Sequence, residues 1–143
     1  MNRHYARVVA FQVLYESDFS HNLNIDEIFS RHKQNLELEG ENIDFAHELV
    51  KKAALKQEEI NSKIEEVAPE WPIEQVAMVD RNILRLAICE LEYFDTPPKV
   101  VINESVEIAK TFGSETSSKF VNGVLGTVFR KSTKYKNEEL SDE

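Results

Sequence analysis

PKVVINESVEIAKTFGSETSSKFVNGVL, residues 98–125, decides the fold. Ile102, Val106, Ala109 and Phe112 recur at intervals of three and four, so one face of this segment is apolar and the segment is helical. Gly113 ends that helix. A second pattern follows in Phe120, Val121, Val124, Leu125, Val128 and Phe129, and predicts a helix that begins near Ser117–Phe120. Thr96-Pro97-Pro98 forces the break that precedes the pair. Gly123 and Gly126 fall inside the second helix, where each costs about 1 kcal/mol against alanine. Close helix–helix packing is the first explanation for them, and the near approach of a partner's backbone is the other.

Upstream the same period repeats. Asp80 is placed to cap a helix whose Ile83, Leu84, Ala87, Ile88 and Leu91 face inward. A long helix is expected from Asn42 to Val67, closed by Pro69. Glu70-Trp71-Pro72 reads as a stiff connector with Trp71 plugging the core, and a short helical turn fits residues 73–78. Asn24 followed by Glu27 resembles a capping box, so a short helix should start there and stop near Gly40, with an acidic exposed connection and helix start over 37–48. Ala6, Val9, Ala10, Val13 and Leu14 mark a helix over 3–16. Val8 and Phe11 lie off that face, which predicts a helix covered on more than one side. No alternating strand pattern and no repeat of fixed period appears, so the chain is predicted to be all-α.

Its 143 residues fit one domain, 1–136, followed by an acidic tail, 137–143, expected to be disordered. Four glycines and four prolines leave few turns, which favours helices over sheets. A single cysteine, Cys89, excludes an internal disulfide, and no apolar run is long enough to cross a bilayer. No secretory signal follows Met1, so a cytoplasmic location is expected. The net charge of −9 is unevenly spread. Residues 1–15 hold Arg3 and Arg7 and no acid, and residues 99–136 hold seven basic and three acidic side chains. If these two segments meet, they make a positive surface on an acidic body.

No catalytic constellation is found. Asp18 with His21, and Asp44 with His47, have carboxylate–histidine spacing, but lack the further glutamates of a di-metal bundle, so no metal and no cofactor are expected. Cys89 reads as a buried structural thiol. The N-terminal edge differs. At 100° per residue, His4, Arg7, Phe11 and Tyr15 project from one side, with Arg3 in the first turn. Cations for phosphates beside rings for bases suit single-stranded RNA.

Three ordered motifs then carry a resemblance. They are Ala6-Arg7 with QVLY at 12–15, DRNILRLAICEL at 80–91, and PPKVVINESVEIAKTFGSETSSKFVNGVL at 97–125. Over Arg3 to Phe129 the chain resembles the NusB family of transcription antitermination factors. An RNA cytosine methyltransferase family carries a similar N-terminal domain, but with the chain ending at Glu143 no methyltransferase domain is expected. The resemblance implies a helical bundle of about seven helices in two subdomains, with no enzymatic activity. It implies binding to boxA RNA of ribosomal RNA leaders together with NusE, a small-subunit ribosomal protein. That pair would join a wider complex of Nus factors on RNA polymerase. Members occur as monomers or homodimers.

By the same resemblance Arg3, His4, Arg7, Tyr15, Lys119 and Phe120 match RNA-binding positions. Tyr15, Asp80, Thr116 and Phe120 match NusE-facing ones. His4 stands where an arginine is usual, Tyr5 replaces a frequent basic residue, and Thr116 stands where some members have an acid. These departures keep a second function open, a protein–protein adaptor bundle with little RNA binding of its own.

Overall fold

The apolar spacing that marks 3–16 as helical carries on for one further turn, to Ser20. The computed structural model describes residues 3–34 and 40–132, without the side chains of residues 33 and 34. The expected disordered tail over 137–143, and part of the expected acidic connection before α3, lie outside the described residues. The helices are α1 (Arg3–Ser20), α2 (Ile25–Gln34), α3 (Glu41–Leu55), α4 (Gln57–Val67), α5 (Met78–Tyr93), α6 (Pro98–Phe112) and α7 (Glu115–Arg130). A single 3₁₀ turn, Ile73–Gln75, lies between α4 and α5, inside the stretch expected to hold one. Among the described residues there is no strand.

The packing falls into two groups. Helices α1, α2 and α3 contact one another, and α4 to α7 form the second set, with α6 lying along α7. α5 joins them, since it touches α1 and α3 on one side and α4, α6 and α7 on the other. Every residue of α5 from Asn82 to Leu91 is buried, so α5 is the axis of the molecule. α1 is also enclosed: Ala6, Val9, Ala10 and Val13 have no exposure, and Phe11 is buried off that face. One contiguous apolar cluster runs through both groups.

Several local expectations hold at the level of single bonds. The Asn24 side chain accepts the Glu27 amide proton at 3.1 Å and caps α2. Pro98 occupies the first turn of α6, where a missing N–H costs nothing. Others do not hold. The segment 42–67 is two helices, broken at Lys56, whose backbone (φ −100°, ψ 18°) leaves the α region. The bend moves the chain from packing on α1 to packing on α7, which one straight helix could not reach. Trp71 does not plug the core. It is 51% exposed, and the apolar residues buried after it are Ile73 and Val76. Asp80 is not an N-cap: α5 starts two residues earlier, with Ala77 at the cap and Asp80 inside the first turn. The last helix begins at Glu115, capped by Ser114, so Lys119 and Phe120 sit a turn inside it.

The glycines separate by cause. Gly113 has a negative φ of −110°, so a left-handed backbone is not its purpose. A Cβ there would lie 2.6 Å from Ser117 Oγ and 2.7 Å from Ser117 Cβ. Ser114 accepts the Ser117 amide in the cap of α7, so the neighbour cannot easily yield. Gly123 is exposed, and a Cβ there would meet nothing within 4 Å. At Gly126 a Cβ would meet only the Arg130 side chain of its own helix. Helix–helix packing therefore explains neither. Two opposite outcomes follow. Gly123→Ala should raise the unfolding free energy by about 1 kcal/mol, whereas Gly113→Ala should lower it by about 1–3 kcal/mol. Urea denaturation of the two variants checks this pair.

Candidate functional site

The cationic end of α1 is built around a side chain expected on the surface and found inside. Arg7 is only 5% exposed. Its guanidinium donates to Glu90 through Nε at 2.9 Å and Nη2 at 2.7 Å, a bidentate fork onto α5. Nη1 donates to Glu104 Oε1 on α6 at 3.1 Å. Glu104 Oε2 pairs with His4 Nδ1. One arginine thus locks α1 to α5 and α6, and the same carboxylate orients His4. Arg7 does not project from the edge with His4, because two buried or half-buried carboxylates claim it. It cannot reach a phosphate without leaving Glu90 unpaired. Phe11 is likewise buried rather than edge-facing.

Arg3 stays at the rim. Its guanidinium carbon lies 4.2 Å from the centroid of the Phe45 ring on α3. Phe45 packs edge-on against Phe94 at 5.7 Å. Arg3 and His4 therefore share one end of α1, both partly exposed.

The other end of α1 is aromatic. Phe11, Tyr15 and Phe19 lie on successive turns, with ring centroids 6.0 Å apart and then 6.5 Å, the second pair nearly parallel at 8°. Phe112 at the end of α6 packs on Phe11 at 5.2 Å. Phe19 is 69% exposed. Neither Phe19 nor Phe112 was selected as a site residue from sequence, although the i, i+4, i+8 spacing of Phe11, Tyr15 and Phe19 was there to be read. The chain turns at Gly113 directly after Phe112, so Thr116 and Lys119, both exposed, follow this end of the bundle. Phe120 is half-buried and packs against the core.

Asp80 belongs to the same end. Its neighbours Arg81 and Asn82 both bond Asp18 of α1: Arg81 at 2.8 and 3.0 Å, Asn82 Nδ2 at 2.9 Å. Arg85 adds a third donor to Asp18 at 3.1 Å. Partial burial pushes the Asp18 carboxyl up, but the hydrogen bonds from Arg81 and Asn82 and the charges of Arg85 and Arg81 together hold it below the usual aspartate range. Asp80 itself is 9% exposed, and its Oδ1 finds no hydrogen-bond donor among the described residues.

The remaining candidates are structural. Asp18 is engaged by its cations, and His47 bonds Asp26 at 2.7 Å rather than Asp44. No cluster of three or more metal-ligating side chains occurs among the described residues. Cys89 is buried, and burial with the adjacent Glu90 charge pushes its thiol up to about 12. No described helix is long and apolar enough to cross a membrane.

Among the described residues every regular element is a helix, and α1 carries a cationic rim at one end and an aromatic, acid-flanked rim at the other, two surfaces of different chemistry. Comparison with known proteins narrows the class. Residues 4–130 match the NusB family model. The transcription antitermination protein NusB of Chloroflexus aggregans is 42% identical, over 99% of this chain and 93% of that protein. T. maritima NusB superposes with a TM-score of 0.85 at 28% identity, over 95% of this chain and 98% of that one. A chain from the crystal structure of antitermination factors NusB and NusE in complex with dsRNA gives a TM-score of 0.82 at 33% identity, over 92% of this chain and all of that one. The chain belongs to the NusB family.

Two outcomes test the site's framework. Arg7→Ala should destabilise the protein by about 3–5 kcal/mol, because it strands Glu90 in the interior. Replacing both partners, Arg7→Met with Glu90→Leu, should recover most of the loss in the same denaturation assay. The Asp18 carboxyl has a lowered folded value, so its contribution is present above the unfolded aspartate value, about 3.9, and is lost as pH falls through the folded one. Thermal melts of Asp18→Asn should show a shallower loss of stability below about pH 4 than those of the parent protein.

Proposed function

We propose that this protein is a transcription antitermination factor. It binds boxA RNA of ribosomal RNA leader transcripts jointly with NusE, and the pair supports assembly of an antitermination complex on RNA polymerase. The observation that carries this reading is the division of α1 into two rims. Arg3 and His4 lie at one, and Tyr15, Phe19 and Phe112 at the other. Membership of a family whose relatives are named for antitermination supports it, as does likeness to a NusB bound with NusE and RNA. The role is one of binding in the cytoplasm, without catalysis.

In this reading Arg3, His4 and Lys119 contact RNA, and Tyr15 and Phe120 lie where RNA and NusE meet. Phe19, Thr116 and Asp80 face NusE. The negative charge of Asp80 beside this rim suits a basic ribosomal protein. Arg7 positions Glu104 and His4 and makes no RNA contact. This removes one cation from the count that the sequence suggested. If about two phosphates are neutralised, log K should fall with log salt at a slope near −1.4, from roughly −0.7 for each.

The small number of free cations among the described residues also favours a second reading, in which the protein alone binds RNA weakly and acts chiefly as an adaptor for NusE. Titrating boxA and scrambled RNA at two salt concentrations, with and without NusE, separates the two. The proposal expects tighter and more selective binding when NusE is present. Absence of any gain contradicts it, and NusE binding without RNA binding selects the adaptor. Phe19→Ser should weaken NusE association at least tenfold while leaving the melting temperature within a few degrees, as expected of an exposed ring at an interface.

A further inference from the structure

The cation–π contact at the N-terminal rim has a geometry that the fold does not need. Arg3 lies in the first turn of α1, where a side chain is ordinarily loose and where a cation is not favoured by the helix dipole. Yet its guanidinium carbon sits 4.2 Å above the Phe45 ring, well within the range of a cation–π pair. The ring is itself fixed. It packs edge-on to Phe94 at 5.7 Å and lies against the core cluster. The Arg7 guanidinium carbon is 5.3 Å from the same ring, but its charge is answered by Glu90 and Glu104, so it repels Arg3 little. No carboxylate pairs with Arg3 among the described residues. A planar guanidinium lying on a ring keeps its N–H edge for another acceptor, and that edge matches the bidentate geometry of a phosphate.

We propose that Phe45 of α3 is a positioning residue for RNA binding: its ring is a shelf that holds the Arg3 guanidinium flat, with its donors directed outward for an RNA phosphate. The shelf replaces the rotamer freedom that Arg3 would otherwise lose on binding. A protein with few free cations gains most from having one of them ordered in advance. This inference rests on the reading of Arg3 as an RNA contact.

The test is a double-mutant cycle on the full chain, with boxA RNA in the presence of NusE. Arg3→Ala and Phe45→Leu should each weaken binding by about two- to fivefold, the range of an exposed cation–π contact. The double variant should be no weaker than Arg3→Ala alone. Phe45→Tyr, which keeps the ring, should bind like the parent. The salt slope should fall by up to about 0.7 in both single variants, the share of one phosphate. A purely structural ring would lower stability without changing that slope. If the two losses multiply, or if Phe45→Leu leaves affinity and slope unchanged, the shelf is wrong while the Arg3 contact stands. If Arg3→Ala leaves binding unchanged, the underlying contact is wrong and the shelf falls with it. Should Phe45→Leu be too unstable to titrate, Phe45→Met retains the bulk without the ring and takes its place.

Discussion

The rest of the molecule depends on one buried arginine. Arg7 grips Glu90 of α5 with two parallel hydrogen bonds and reaches Glu104 of α6 with a third. Buried ion pairs add little net stability, because desolvation offsets much of the attraction. What this one supplies is register. An apolar face can slide by a turn with modest loss, whereas a bidentate fork onto one carboxylate has a single solution. Once α1 is fixed on α5 at Arg7, the rise of about 1.5 Å per residue sets where everything else on α1 appears. Arg3 emerges one turn before the lock, over Phe45. Phe11 follows one turn after it, against Phe112, and Tyr15 and Phe19 emerge two and three turns after it.

Charge is distributed to match. Much of the acidity lies between residues 16 and 98, away from the two basic segments, so the body repels a polyanion that approaches elsewhere. Among the described residues the cations without an ion pair are few. On the proposed function, affinity for RNA is then modest and only shallowly dependent on salt, which suits a protein that gains selectivity from a second component rather than from its own charge. The aromatic rim offers that second component a different chemistry. Rings stacked along a helix edge, one of them largely exposed, give area at low entropic cost, and Asp80 adds negative charge nearby.

Much of the fold was legible in the sequence, because helical period, proline breaks and caps are local signals. The break at Gly113, the cap at Asn24 and the 3₁₀ turn near residue 73 all appear where local chemistry put them. What was not legible is long-range. Arg7 reads as a surface cation because periodicity counts it as polar, and its partners lie 83 and 97 residues away. The bend at Lys56 has no glycine or proline to announce it, and follows from the need to reach α7. Trp71 reads as core by its size, but Ile73 and Val76 are the buried residues of that stretch. Of the proposed site, Tyr15, Asp80 and the α7 residues rest on resemblance to a family. Phe19 was visible in the i, i+4 spacing and went unread. Phe45 could not have been found, since its role exists only where α3 meets α1.

The central claim is that the two rims of α1 serve different partners. Amide hydrogen exchange on the 143-residue chain, with boxA RNA alone, with NusE alone and with both, tests it most directly. The account predicts that RNA slows exchange in the first two turns of α1, and that NusE slows it around Tyr15–Ser20 and at the start of α5. Protection of the Tyr15–Ser20 end by RNA alone, with none near Arg3 and His4, would contradict it.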